Sequence, residues 1–185
     1  MIDPVLTKAE EKMKTSLDVL KREMGGIRTG RASPALVENV RVDYNGAPTP
    51  IHHMASVTAS GASLLMIQPW DAGALTAIEK AILKANIGLT PTSDGHVIRL
   101  NIPPLDEERR QEMIKMMRRL LEEQRIVVRN IRRDAIDDIK KQEKNKEISQ
   151  DDLKRGETRL QKLTDSYIGQ IDATGVAKEA ELKQI

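Results

Sequence analysis

Arginine is the side chain whose number and spacing could do chemistry in this 185-residue sequence. The stretch VVRNIRRDA, residues 127–135, sets three arginines among three branched apolar residues. On a helix turning about 100° per residue, Arg118, Arg125, Arg129 and Arg132 fall within an arc of about 60°, about a quarter turn from the apolar seam. Arg133 lies at the edge of that arc, and Arg28 and Arg31 join the set if the end of the first helix packs beside the middle of this one. A guanidinium presents a planar fork of donors that matches phosphate bidentately and stacks on bases, which a lysine ammonium does not. Acids on the same helix lie outside the arc, apart from Glu122, which flanks it at pairing distance from Arg118 and Arg125. Two readings follow: a solvated face paired with nearby acids, or a surface that grips nucleic-acid phosphates. With no Phe, one Trp and two Tyr, the second reading favours backbone contacts to structured RNA over stacking on single strands.

Other chemistry has little to stand on. The absence of cysteine excludes disulfides, thiolate catalysis and Cys-based zinc sites, and is consistent with a reducing compartment. His52, His53 and His96 show no metal-ligand spacing and read as surface or turn residues. The acid pairs Glu107-Glu108, Asp137-Asp138 and Asp151-Asp152 fall on charged helix starts and faces. GxxxxGK[ST], GxSxG and GxGxxG are all missing, so no catalytic residue, cofactor or metal is expected. No window is apolar enough to span a membrane, and the N-terminal stretch lacks a signal-like apolar core, which points to the cytoplasm. A net charge of +2 means that any RNA affinity must come from a local patch.

These arginines need long helices to carry them. Leu6, Ala9, Met13, Leu17, Leu20, Met24 and Ile27 recur every three or four residues, with Asp3-Pro4 as a helix start and Gly25, Gly26 and Gly30 near its end. After Pro103-Pro104, about forty residues without Pro or Gly carry a seam at Met113, Met117, Leu120, Val127, Ile131 and Ala135, interrupted by Gln124. Within VVRNIRRDA, Val128 and Ile131 are assigned to the bundle and Arg129 and Arg132 to solvent. Ser149 with Asp152 resembles a capping box opening a third helix through Leu153, Leu160, Leu163, Tyr167, Ile171 and Thr174. Between the first two helices, Pro and Gly recur and charge thins. Val40, Val42 and Tyr44 alternate before an Asn45-Gly46 turn, ASVTAS and SLLMIQPW read as strands, and Asp71 caps a helix through Leu75, Ile78, Ile82 and Ala85. SDGHVIRLNI supplies a turn and a last strand, and Trp70 reads as a packing anchor at a strand end. The expected fold class is α+β: an elongated three-helix bundle, residues 1–30 and 105–185, with a small β/α/β domain of mixed sheet inserted at 31–104. Prolines at both crossings suggest defined elbows, with the domains moving relative to one another.

The motifs GIRTGRASP (26–34), VDYNGAPTPI (42–51), IQPWD (67–71), IEKAI (78–82), IPPLDEERR (102–110), VRNIRRDA (128–135) and DDLKRGETRLQKLTDSYI (151–168) resemble those of bacterial ribosome recycling factors along essentially the whole chain. The resemblance implies an L-shaped, tRNA-like outline. It also implies a non-enzymatic role: with elongation factor G and GTP, splitting post-termination ribosomes and releasing mRNA and deacylated tRNA. It implies an rRNA-binding set on the large subunit where the subunits meet, in which Arg132, Arg129, Arg28 and Arg31 occupy matching motifs, beside Arg125 and Arg133 from the helical strip. It further implies a hinge at Gly30, Arg31, Ala32, Ser33 and Pro34 and at Asn101, Ile102, Pro103 and Pro104, in a chain acting as a monomer without cofactor or membrane. Gly156 and Gly169 depart from the pattern inside the third helix. The rival is a helical adaptor whose seam pairs with protein helices, its arginines being ordinary surface charge; a metal-dependent hydrolase is a distant third.

Overall fold

The computed structural model describes residues 2–184. The chain divides into two compact units, Met1–Glu23 with Ile114–Ile185, and Met24–Met113. These divisions fall inside helices, earlier than residue 30 and later than residue 104, because the last turn of the first helix and the first turns of the long one belong to the second unit.

The first unit is a three-helix bundle of α1 (Asp3–Gly25), α3 (Glu107–Lys144) and α4 (Gln150–Lys183), of which α1 and α3 each continue across the division. At 1.5 Å per residue α3 is about 57 Å long. Apolar spacing in α1 predicts its buried face correctly from Leu6 through Leu20. Asp3 is the first helical residue rather than the cap, since the Ile2 carbonyl already accepts from the Leu6 N–H at 3.1 Å. Leu6, Ala9, Ala135, Ile139 and Leu160 form one core cluster, against which Ile131, Ile148 and Leu153 pack. A polar contact sits farther along: the Ser16 hydroxyl donates to Gln124 Oε1 from a buried position, so the polar interruption of the α3 seam is matched from α1. A buried pair of this kind favours one register, since sliding would leave both groups unsatisfied.

The seam of α3 differs from the expected one. Buried residues are Ile114, Met117, Leu121, Val128, Ala135 and Ile139, while Val127 is 40% exposed and Met113 and Leu120 are half-buried. Apolar residues come in doublets here, at 113-114, 120-121 and 127-128. Three-or-four spacing accepts either member, and packing against two neighbours selects the second. Val128 and Ile131 face the bundle as assigned. Ser149 caps α4 in a full capping box: its side chain accepts from the Asp152 N–H while the Asp152 carboxylate accepts from the Ser149 N–H. The paired hydrogen bonds satisfy helix-start donors, and the Ser149 hydroxyl, donating to the Asp152 carboxylate at 2.8 Å, together with the Ser149 N–H holds that carboxyl below its ordinary pKa.

The second unit holds two antiparallel sheets. Strands β1 (Arg41–Tyr44) and β2 (Ala47–Pro50) form a hairpin in which Tyr44 faces Ala47. Asn45 at φ 53° and Gly46 at φ 80° make its two-residue turn, the left-handed pair that Asn-Gly adopts readily. Strands β3 (Ala55–Ser60), β4 (Leu64–Pro69), β5 (Pro91–Ser93) and β6 (Ile98–Asn101) form a sheet in the order β3-β4-β6-β5. Every pairing is antiparallel, so the sheet is not mixed as expected. The reason is β5, too short to register in the sequence pattern, which pairs with β6 and occupies the edge. Asp71 accepts from the Gly73 N–H and caps a short 3-10 turn, Ala72–Ala74, that leads into α2 (Leu75–Ala85). Asn86 then closes α2 in the left-handed region at φ 50°. Leu65, Ile67, Ile78, Ile82, Ile98 and Leu100 are the centre of an aliphatic core. Trp70 is 70% exposed, so it is not the packing anchor it was expected to be; its neighbour Asp71 is instead the one engaged, accepting from the Tyr44 hydroxyl at 2.8 Å.

Candidate nucleic-acid interface

On the bundle, α3 carries the arginines and α4 answers them. Arg118 reaches Glu179 at 3.4 Å. Arg125 donates from Nε and Nη2 to one Asp172 oxygen, at 2.9 and 2.7 Å, and from Nη1 to Glu122 at 3.1 Å. Arg129 meets the other Glu122 oxygen at 3.4 Å. Arg132 donates to the neutral amide oxygen of Gln161, and its Nε is buried without a partner among the described residues. Arg133 is exposed and forms no ion pair among the described residues. Asp172 bonding, ahead of that to Glu122, raises the Arg125 pKa above its ordinary value, and the guanidinium is held between two helices.

The strip therefore has two parts. Its N-terminal part meets carboxylates of α4, closely at Arg125–Asp172 and at 3.4 Å at Arg118–Glu179, acids that the expectation for the arginines' own helix did not cover. One helix read by itself could not show what its neighbour contributes. Its C-terminal part, Arg129, Arg132 and Arg133, holds guanidinium forks met by half a carboxylate, an amide and solvent. A phosphate can complete such forks without first displacing a tight partner. Within the strip, Arg132 and Arg133 of the RNIRR run, residues 129–133, are the two guanidiniums with no carboxylate partner among the described residues.

A glycine permits the pairing across helices. A Cβ on Gly175 would overlap Leu121 Cδ1, so α4 approaches α3 more closely than any other residue would allow. Asp172 and Glu179 lie three residues before and four after it, on the same face of α4. Close approach at Gly175 is what brings both carboxylates to Arg125 and Arg118. Sequence reading passed over all three, although their spacing at 172, 175 and 179 is the helical signal that could have found them. Gly156 is similar: a Cβ there would stand 3.0 Å from Ile139 Cδ1, so this departure from the family pattern is close packing. Around Gly169 nothing lies within 4 Å of a Cβ position.

The remaining expected residues lie in the second unit. Arg28 is half-buried with its Nε unpartnered among the described residues, and its guanidinium passes Gly88, where a Cβ would stand 3.4 Å from Nη1. Arg31 is exposed. Of the hinge positions, Gly30 has φ +80°, and a Cβ there would lie 3.1 Å from the Leu105 nitrogen and 3.5 Å from Pro104 Cα. The two crossings thus touch. The Ala32 N–H donates to the Ala62 carbonyl and the Ile102 N–H to that of Ser63, both at 2.7 Å, tying each crossing to the β3–β4 turn. Ser33 caps the short 3-10 helix Pro34–Val37. Asn101 ends β6 and Ile102 is buried in the aliphatic core.

Among the described residues, no group of three or more His, Asp or Glu side chains is placed to hold a metal ion, and no helix is long and apolar enough to cross a membrane. Residues 20–182 match the family model for ribosome recycling factor. The ribosome-recycling factor of Dehalococcoides mccartyi is 61% identical over 185 residues, all of both chains. That of Carboxydothermus hydrogenoformans is 52% identical over the same span, again all of both chains. Among solved structures, a solution structure of the ribosome recycling factor superposes with a TM-score of 0.81 at 42% identity, covering 100% of this chain and 98% of that one. Another, with a TM-score of 0.70 at 41% identity and full coverage of both chains, is the T. thermophilus ribosome recycling factor, described with the E. coli elongation factor G bound to the E. coli post-termination complex. With its bundle, its inserted antiparallel unit and these matches along its length, the chain belongs to the ribosome recycling factor family.

Proposed function

We propose that this protein recycles ribosomes: with elongation factor G and GTP it splits post-termination ribosomes into subunits and frees mRNA and deacylated tRNA. It acts in the cytoplasm as a monomer and makes or breaks no bond itself. The supporting observation is the division of labour within the arginine strip, where Arg125 is held by Asp172 and Glu122 while Arg129, Arg132 and Arg133 keep forks available. In this reading those three dock the bundle on large-subunit rRNA phosphates, Arg125 braces α3 against α4, and Arg28 and Arg31 add contacts from the second unit. The GTPase supplies the work, and the stiff helices transmit it. Gly30, Arg31 and Pro103-Pro104 provide the elbows; Ala32, Asn101 and Ile102, bonded or buried in the β unit, move with it.

Binding to isolated large ribosomal subunits, followed across a salt series, tests this reading. Each phosphate contact releases counterions, so affinity falls steeply with salt, and Arg132→Ala is expected to weaken binding and reduce the logarithmic salt slope by about 1. A slope near zero for the wild-type protein, or one unchanged in a folded Arg132→Ala variant, would turn the assignment toward a protein-binding adaptor.

A further inference from the structure

We infer that Glu122 is a built-in stand-in for an RNA phosphate: a carboxylate lodged between two strip arginines that is displaced on docking, so that it lowers the affinity of every target whose phosphate takes Arg129. The inference rests on the rRNA-docking reading above. Glu122 Oε2 takes Arg125 Nη1 at 3.1 Å and Oε1 takes Arg129 Nη1 at 3.4 Å, one guanidinium per oxygen, much as two non-bridging phosphate oxygens are shared. Residues 122, 125 and 129 share one helix face, so this bridge is set by α3 alone. Its two arginines differ in what they keep when the carboxylate leaves. Arg125 retains Asp172, whereas Arg129 has no other ion-pair partner among the described residues. Displacing Glu122 therefore frees chiefly Arg129, the first residue of the RNIRR run.

The modest strength of the bridge sets the size of that cost. Glu122 is half exposed, and exposed pairs of this kind hold a side chain by no more than about a fivefold factor. A single phosphate meeting Arg129 gains little over the carboxylate it replaces. A folded RNA surface that engages Arg129, Arg132 and Arg133 together outcompetes it easily. An adjacent residue supplies the control: Glu123 carries the same charge but pairs with Arg119 at 2.9 Å, one turn along the helix.

Full-length protein is titrated with two probes at fixed salt, a short RNA duplex of arbitrary sequence and isolated large ribosomal subunits. Glu122→Gln is expected to tighten binding of both probes by up to about fivefold, and Glu123→Gln to change either by less than about twofold. Adding Glu122→Gln to Arg129→Ala should give no such gain. Equal effects of the two Gln substitutions would reduce the result to net charge and overturn the inference, as would no gain with either probe. Failure of the docking reading itself looks different: Arg129→Ala would then leave subunit affinity unchanged.

Discussion

The two units of this chain hold themselves together in different ways. In the second unit, fifteen buried residues from strands, turns and α2 converge on one aliphatic cluster. In the bundle, burial runs in narrow seams along helices, and the α3–α4 contact is set by glycines and by carboxylates reaching across to arginines. A converging core tolerates loss of a side chain poorly and leaves its surface unconstrained. A linear seam spreads packing thinly, so interhelical spacing, and with it the pose of the arginine strip, depends on a few close approaches.

The sharpest way to break this contrast is to cut each unit at its own weak point. Ile67→Ala, at a fully buried position of a central strand, is expected to cost about 2–5 kcal/mol, seen in hydrogen exchange as loss of protection concentrated in β3, β4 and β6. Loss spread evenly over both units would mean that they do not pack separately. Next in size is Gly175→Ala, which forces Leu121 aside at about 1–3 kcal/mol by thermal unfolding. It should also loosen the Arg125–Asp172 contact, readable as altered side-chain NMR shifts of Arg125. Gly169→Ala has the opposite sign: with open space around it and a helical backbone, it is expected to raise stability by about 0.5–1 kcal/mol. The smallest effect is local and pH-dependent. Backbone N–H groups of Val97 and His96, with Arg99, hold Asp94 at a pKa of about 2. A depressed carboxyl pKa contributes stability above its unfolded value, which is lost as pH falls from about 4 toward 2. Protection of the Val97 amide should fall over that window while the bundle is unaffected.

The same contrast separates what was legible in the sequence from what was not. One-sided periodicity made α1 readable, the Ser149 and Asp152 pair marked the start of α4, and Asn45-Gly46 specified a hairpin turn because few residue pairs adopt it. Apolar doublets left the α3 seam ambiguous, since each helix was read without its neighbours. The edge strand β5 was too short to signal itself. Trp70 was misjudged because bulk suggested burial, although its position beside Pro69 and Asp71 at a strand end leaves it in solvent. In the candidate strip, Arg125, Arg129, Arg132 and Arg133 were grouped by spacing on one helix. Asp172, Gly175 and Glu179 were not: their spacing puts them on one face of α4, but that this face meets the arginines appears only when α4 is laid against α3.

Light scattering from post-termination ribosomes tests the central claim most directly. With elongation factor G and GTP, wild-type protein is expected to lower scattering as subunits separate. A folded Arg129→Ala/Arg132→Ala variant at the same concentration should leave it nearly unchanged. Splitting by that variant at the wild-type rate would contradict the account.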